Sequence, residues 1–152
     1  MSNSISLSGN DTIILSGRQL TAFADGDIGT LTFPNETGVL KPGKNGNTLI
    51  AYSAMGNLVE GTLRILRGSA DDAFINSLQI LFFQDPPTFP LITLQLVKRI
   101  GDGQGNVKSD VYLCTGGVPT MIPEVKSNIE GETDQGVTIW KFKFAVGQRS
   151  IS

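Results

Sequence analysis

The 152-residue chain has no histidine, a single cysteine and no long apolar run, and it carries no excess of basic charge. Each absence removes a class of function. Without histidine, the commonest general base and metal ligand is missing. Cys114 has no partner for an internal disulfide, so a reducing cytoplasm is the expected place of synthesis. The same thiol lacks the imidazole that usually activates a nucleophile. The longest apolar stretch, 80–83, is far short of the roughly 18 residues of a membrane span. The opening residues, Met1-Ser-Asn-Ser-Ile-Ser, show neither the basic region nor the apolar block of a signal peptide. A net charge of −2 argues against binding nucleic acid by phosphate neutralisation. The nearest thing to a basic face is Lys98-Arg99 with Arg64 and Arg67.

What the chain does have is glycine, 18 residues of it, well above the usual share of about 7% and a sign of many tight turns. Residues 1–10 read as a Ser/Asn-rich flexible arm. Short alternating strands follow at 12–15, 19–24 and 30–33, the last stopped by Pro34. From 34 to 47 nearly every residue is a turn former, which predicts a long loop that is either functional or disordered. Strands are expected at 48–54 and at 59–67, where Leu63 and Ile65 share one face and Arg64 and Leu66 the other.

A single helix is predicted over 69–84, with Ser69 as N-cap, Asp71 and Asp72 at its positive end, and Asp85-Pro86-Pro87 as its stop. On a helical wheel Phe74, Ile75, Leu78, Leu81 and Phe82 form one stripe, while Ile80 and Phe83 fall on a flank shared with Asn76 and Gln79. Beyond it, strands are expected at 91–99, 107–115, 119–127 and 137–146, with a Gly116-Gly117 turn and a short tail at 147–152. In the last strand Trp140, Phe142 and Phe144 oppose Lys141 and Lys143. A β-rich half, one helix and a second β-rich half make a single domain over 1–152, mainly β. The expected architecture is an antiparallel sandwich or barrel with one flanking helix.

Candidate chemistry is thin. The run Gly101-Asp-Gly-Gln-Gly-Asn106 has its third glycine misplaced for a dinucleotide loop, and a strand follows where a helix should start. As a calcium loop it fails at Val107 and Leu113, where a glycine and a glutamate belong. A hairpin loop is the better reading. The carboxylate pairs Asp71/Asp72 and Glu130/Glu132 fall at a helix start and in a polar turn, where capping and solvation account for them. No Gly-x-Ser-x-Gly elbow is present. No enzyme, cofactor or metal site is expected. Ile80 and Phe83 either complete the core or form an apolar patch for a neighbouring subunit.

One stretch, Leu63-Arg-Ile-Leu-Arg-Gly-Ser-Ala-Asp-Asp-Ala-Phe-Ile-Asn-Ser-Leu78, resembles the tail tube proteins of contractile-tailed bacteriophages. Further pieces follow in order: Gly26-Asp-Ile-Gly-Thr-Leu-Thr-Phe-Pro34, Gly43-Lys-Asn-Gly-Asn47, Lys98-Arg-Ile-Gly-Asp-Gly-Gln-Gly-Asn-Val107 and Lys126-Ser-Asn-Ile-Glu-Gly-Glu-Thr-Asp-Gln135. The likeness runs from about Gly26 to Arg149. It implies a virion protein, made in the host bacterial cytoplasm, that forms hexameric rings stacked into the inner tail tube. In such rings the sheets of neighbouring subunits join into one barrel lining the lumen.

The implied partners are other copies of the chain, the sheath protein, and baseplate, initiator and terminator proteins, with double-stranded DNA passing through unbound. On this reading Ile80 and Phe83 belong to subunit contacts, as do Val39, Leu40, Lys41 and Lys44 of the long loop and Ile5 and Leu7 of the arm. Thr93 and Gln95 are expected to face the lumen. A conduit favours a neutral or acidic bore, because every cationic contact would brake DNA; Lys141 and Lys143 oppose that if the last strand lines it. Two other readings remain: the inner tube of a phage-derived bacteriocin or injection device, and a monomeric β-sandwich binding module. The second should show aromatics on loops, and Phe89 alone fits.

Overall fold

A computed structural model describes residues 4–152. Its strands are β1 (Ser6–Leu7), β2 (Thr12–Leu15), β3 (Arg18–Leu20), β4 (Gly29–Thr32), β5 (Gly38–Pro42), β6 (Thr48–Tyr52) and β7 (Val59–Leu66), then β8 (Ile92–Gly101), β9 (Val107–Met121) and β10 (Val137–Ile151). One helix, α1 (Ala70–Gln84), separates β7 from β8. The main sheet is antiparallel in the order β3-β2-β8-β9-β10-β7-β4, with β1 pairing β8 beyond the end of β2. After β3 the chain crosses to the far side of the sheet. There Phe23 bridges Ile65, and the Leu66 N–H donates to the Ala22 carbonyl at 2.9 Å. The two margins are thereby drawn together, and the sheet curls into a half-barrel.

Alternation fills the concave side. Val59, Leu63 and Ile65 of β7 meet Trp140, Phe142 and Phe144 of β10, Ile92 and Leu94 of β8, and Ile13 and Leu15 of β2. Each such side chain contributes about 1.5–3 kcal/mol by leaving water. Helix α1 closes the open side with Ile75 fully buried and Phe74, Leu78 and Phe82 packed around it.

Its start is fixed as the sequence indicates. The Asp72 N–H donates to Ser69 Oγ at 3.2 Å, and Asp72 Oδ2 accepts from the Gly68 N–H at 2.9 Å. Asp72 Oδ1 also accepts from Trp140 Nε1 at 2.9 Å, so the cap ties the helix to β10.

The face the helix buries is rotated from the expected stripe. Asp71, Ile75 and Gln79 point inward, whereas Leu81 is exposed together with Ile80 and Phe83. Asp71 explains the rotation. Only 2% exposed, it accepts from the Thr21 and Ala22 N–H groups at 2.7 and 2.8 Å and from Arg18 Nε at 3.0 Å. Burial alone would raise its pKa. The Ala22 and Thr21 N–H groups and the Arg18 guanidinium outweigh that penalty and hold the carboxyl below its ordinary value. Asp71 is a buried clamp between helix and β3, not a solvated charge.

Four other expectations are corrected. The 34–47 loop contains β5, which pairs with β6 as a hairpin of its own. Gly116-Gly117 is no turn: β9 runs straight through it and ends at Met121, so 122–127 is not a strand. A Cβ on Gly117 would collide with the Phe144 ring, and Gly116 takes a positive φ of 70° at the register shift against β8. Residues 147–151 are not a tail but the end of β10, paired to β9 and pinned by a bidentate Arg149–Asp110 ion pair at 2.9 Å. Within the arm, Met1–Asn3 lie outside the described residues, and Ser6 and Leu7 pair with Gly101 and Ile100 rather than hanging loose. The 101–106 hairpin loop, by contrast, is as read. Asp102 accepts from the Gln104 and Asn106 N–H groups and from the Asn106 side chain.

Candidate interaction surfaces

Three apolar surfaces stand out as uncovered among the described residues. The first is the β5–β6 hairpin. Its register sets Leu40 beside Ile50 and Lys41 beside Leu49, and every residue of both strands is exposed, Ile50 to 79%. An isolated two-stranded hairpin is marginal in water, and this one has no second layer on either face. Its base is held by the Ser53 N–H to the Thr37 carbonyl at 2.9 Å and by Asn35 Nδ2 to the Met55 carbonyl at 3.1 Å. The tip turns through Asn45 and Gly46, both with positive φ. Of the loop residues singled out, Val39, Leu40 and Lys41 lie on β5 and Lys44 lies at the tip, so the structure brings all four together.

The second surface is the outer flank of α1. Ile80 and Phe83 are exposed, Phe83 to 61%, and Leu81 joins them. This resolves the two readings of Ile80 and Phe83 in favour of a patch. The third is the stretch after β9, where Met121, Ile122, Val125 and Ile129 are all exposed. Sequence patterning assigned 119–127 to a strand and so hid this surface. Ile5 and Leu7, at the arm, form a smaller exposed pair beside β8.

Thr93 is exposed and Gln95 half-buried, alternating with buried Ile92 and Leu94. Lys141 and Lys143 alternate in the same way with Trp140, Phe142 and Phe144. All four therefore share the outer face of the sheet. Lys143 reaches Glu60 at 3.9 Å on the neighbouring strand, which offsets part of its charge. The basic residues do not make one face: Lys98 pairs with Asp11 at 3.0 Å, Arg64 with Asp25 at 3.1 Å, and Arg67 donates to the Glu124, Gln135 and Val137 carbonyls.

No protein-family model matches the chain, and no curated protein is similar to it. Chemical groups offer little beside these surfaces. Cys114 is fully buried, and burial pushes its thiol up to about 11, so it stays protonated at neutral pH. Phe89, the one aromatic that fitted a sugar- or surface-binding loop, is 7% exposed and packs edge-on against Phe82 at 5.3 Å.

Proposed function

We propose that the protein is a structural subunit that assembles into stacked hexameric rings, forming the inner tube of a contractile tail through which DNA passes. The observation that carries this reading is the β5–β6 hairpin, an ordered element with apolar side chains on both faces and nothing among the described residues to cover them. The exposed Ile80-Leu81-Phe83 flank supplies a second apolar contact on α1, suited to a lateral neighbour in the ring. The half-barrel leaves strand margins that adjoining subunits would pair, as the ordered set of phrases resembling tail tube proteins implies.

In this arrangement the outer sheet face, with Thr93 and Gln95, lines the bore. Lys141 and Lys143 come with it. Glu60 beside Lys143 offsets one of these two positive charges. Sheath, baseplate and terminator proteins are the further partners of such a tube.

Negative-stain electron microscopy of the purified chain, with its mass from light scattering, tests the proposal. Rings or hollow tubes with six subunits around are the expected result. A particle that stays single at high concentration and in the presence of a baseplate seed would overturn it.

A further inference from the structure

We propose that two copies of the chain outside the tube pair through the free edge of β6, antiparallel about Ile50, and so keep each other's hairpins out of assembly. The pairing needs only the hairpin itself; its effect on assembly rests on the tube proposed above.

The ladder decides which backbone groups are free. The Ser53 N–H donates to the Thr37 carbonyl at 2.9 Å and the Gly43 N–H to the Asn47 carbonyl at 2.6 Å, one at each end of the hairpin. Bonded and non-bonded pairs alternate in an antiparallel ladder, so Val39/Ala51 and Lys41/Leu49 are the bonded pairs between them. The N–H and C=O groups of Thr48, Ile50 and Tyr52 therefore point outward from β6, and those of Leu40 outward from β5. Among the described residues nothing pairs with either outer edge.

The two edges are not alike. On β5, Pro42 has no outward N–H to offer and Lys41 adds a charge, and both features discourage strand addition. On β6 neither is present, and from Asn45 to Val59 the chain carries no charge and no proline. Leu49, Ile50 and Tyr52 are all exposed there. An uncharged, β-prone edge of this kind is a template for another strand.

A second copy of β6 fits it. A two-fold axis at Ile50 sets Ile50 against the partner's Ile50 and Thr48 against the partner's Tyr52, and each facing pair exchanges two N–H···O=C bonds. The product is a four-stranded sheet with Leu40, Ile50 and Tyr52 of both copies on one face, past the size at which a lone hairpin is marginal. Charge permits it as well. Lys41 of the two copies stands three strand spacings apart, at least about 14 Å, beyond the screening length of about 8 Å. Pairing β5 with β5 would instead put the two lysines on adjacent strands. The contact closes on itself, so it covers both hairpins without propagating.

Cross-linking tests the register. Bonded cross-strand pairs lie about 5.5 Å apart between Cα atoms, within disulfide reach, and the chain's own Cys114 is buried. With oxidised glutathione, Ile50→Cys should give a covalent dimer at least tenfold faster than Leu40→Cys. Ile50→Pro removes an outward N–H and spares the hairpin's own ladder, so it should stay monomeric by light scattering at concentrations where wild type is dimeric. Leu40→Pro, the same change on β5, should still dimerise, and circular dichroism checks that both fold. Disulfide-locked Ile50→Cys dimers should be missing from tubes grown on a baseplate seed until dithiothreitol is added. If the two cysteine variants cross-link equally, or Ile50→Pro dimerises as wild type does, the β6 pairing is wrong whatever the chain builds. If locked dimers enter tubes, the hold on assembly is wrong. If wild type pairs through β6 yet never forms tubes, the pairing stands and the tube reading falls.

Discussion

The half-barrel and the β5–β6 hairpin are built from the same kinds of residue and end in opposite states. In the half-barrel, Trp140, Phe142 and Phe144 lie under α1 and the curled sheet, with the Trp140 indole N–H bonded to Asp72. In the hairpin, Leu40, Leu49, Ile50 and Tyr52 are as apolar, spread over both faces rather than one, yet stay in water. Antiparallel ladders hold both. The difference is a second layer, which α1 supplies to one and nothing among the described residues supplies to the other. Folding free energy is thus concentrated in one region, and free energy still to be gained by association is held in the other.

Substitutions separate the two regions, and the largest effect belongs to the core. Phe144→Ala should cost about 4 kcal/mol in denaturant unfolding. Its ring lies over Gly117 and Gly61, which have no side chains to move into the void. Asp71→Ala should cost on the order of 3 kcal/mol, since it leaves the Thr21 and Ala22 N–H groups and Arg18 without their acceptor.

The same clamp gives a pH signature. The Asp71 pKa is lowered on folding, so its stabilisation is fully present above the ordinary value of 3.8 and is lost as pH falls through the lower folded value. Urea midpoints measured from pH 6 down to pH 2 should show a shallower acid loss in Asp71→Ala than in wild type.

On the association side the pattern inverts. Leu40→Ser with Ile50→Ser should shift unfolding by no more than about 0.5 kcal/mol, and Phe83→Asp should do the same. Both should abolish ordered assemblies in micrographs. A hairpin double variant that lost several kcal/mol would break the comparison, because the hairpin would then belong to the core. The smallest effect is expected from removing residues 1–9: two β1 pairings are lost, monomer stability changes little, and tubes shorten. Unchanged tube length would count against a stacking role for Ile5 and Leu7.

Local rules in the sequence reached the elements that local chemistry decides. Ser69 and Asp72 announce the helix start, Asp85-Pro86-Pro87 its end, and the aromatic alternation of 140–144 the buried face of β10. They failed where a distant residue decides. Gly116-Gly117 has the composition of a turn, but Gly117 is small because Phe144 packs on it across the ladder. Residues 147–152 look like a polar tail because Arg149 reads as solvated, whereas Asp110, on β9, holds it in register.

Asp71 and Gln79 have the composition of a wet helix face, and the N–H groups that draw Asp71 inward belong to a turn fifty residues earlier. Among the surface residues, periodicity set Ile80 and Phe83 off the main stripe without deciding between core and patch, and turn content placed Val39, Leu40, Lys41 and Lys44 in a loop without showing β5. The apolar surface at 121–129 was not legible, because Ile122 and Val125 fit the pattern of a strand that in fact ends at Met121.

Strand β10 runs fifteen residues, bonded to β7 along its first half and to β9 along its second. A pull applied at its two ends loads those ladders lengthwise, so many hydrogen bonds must shear at once before the strand slips. The β5–β6 hairpin, pulled apart at its base, opens one pair at a time like a zipper. Under load, therefore, the half-barrel is the stiff part of the molecule and the hairpin is the part that opens first.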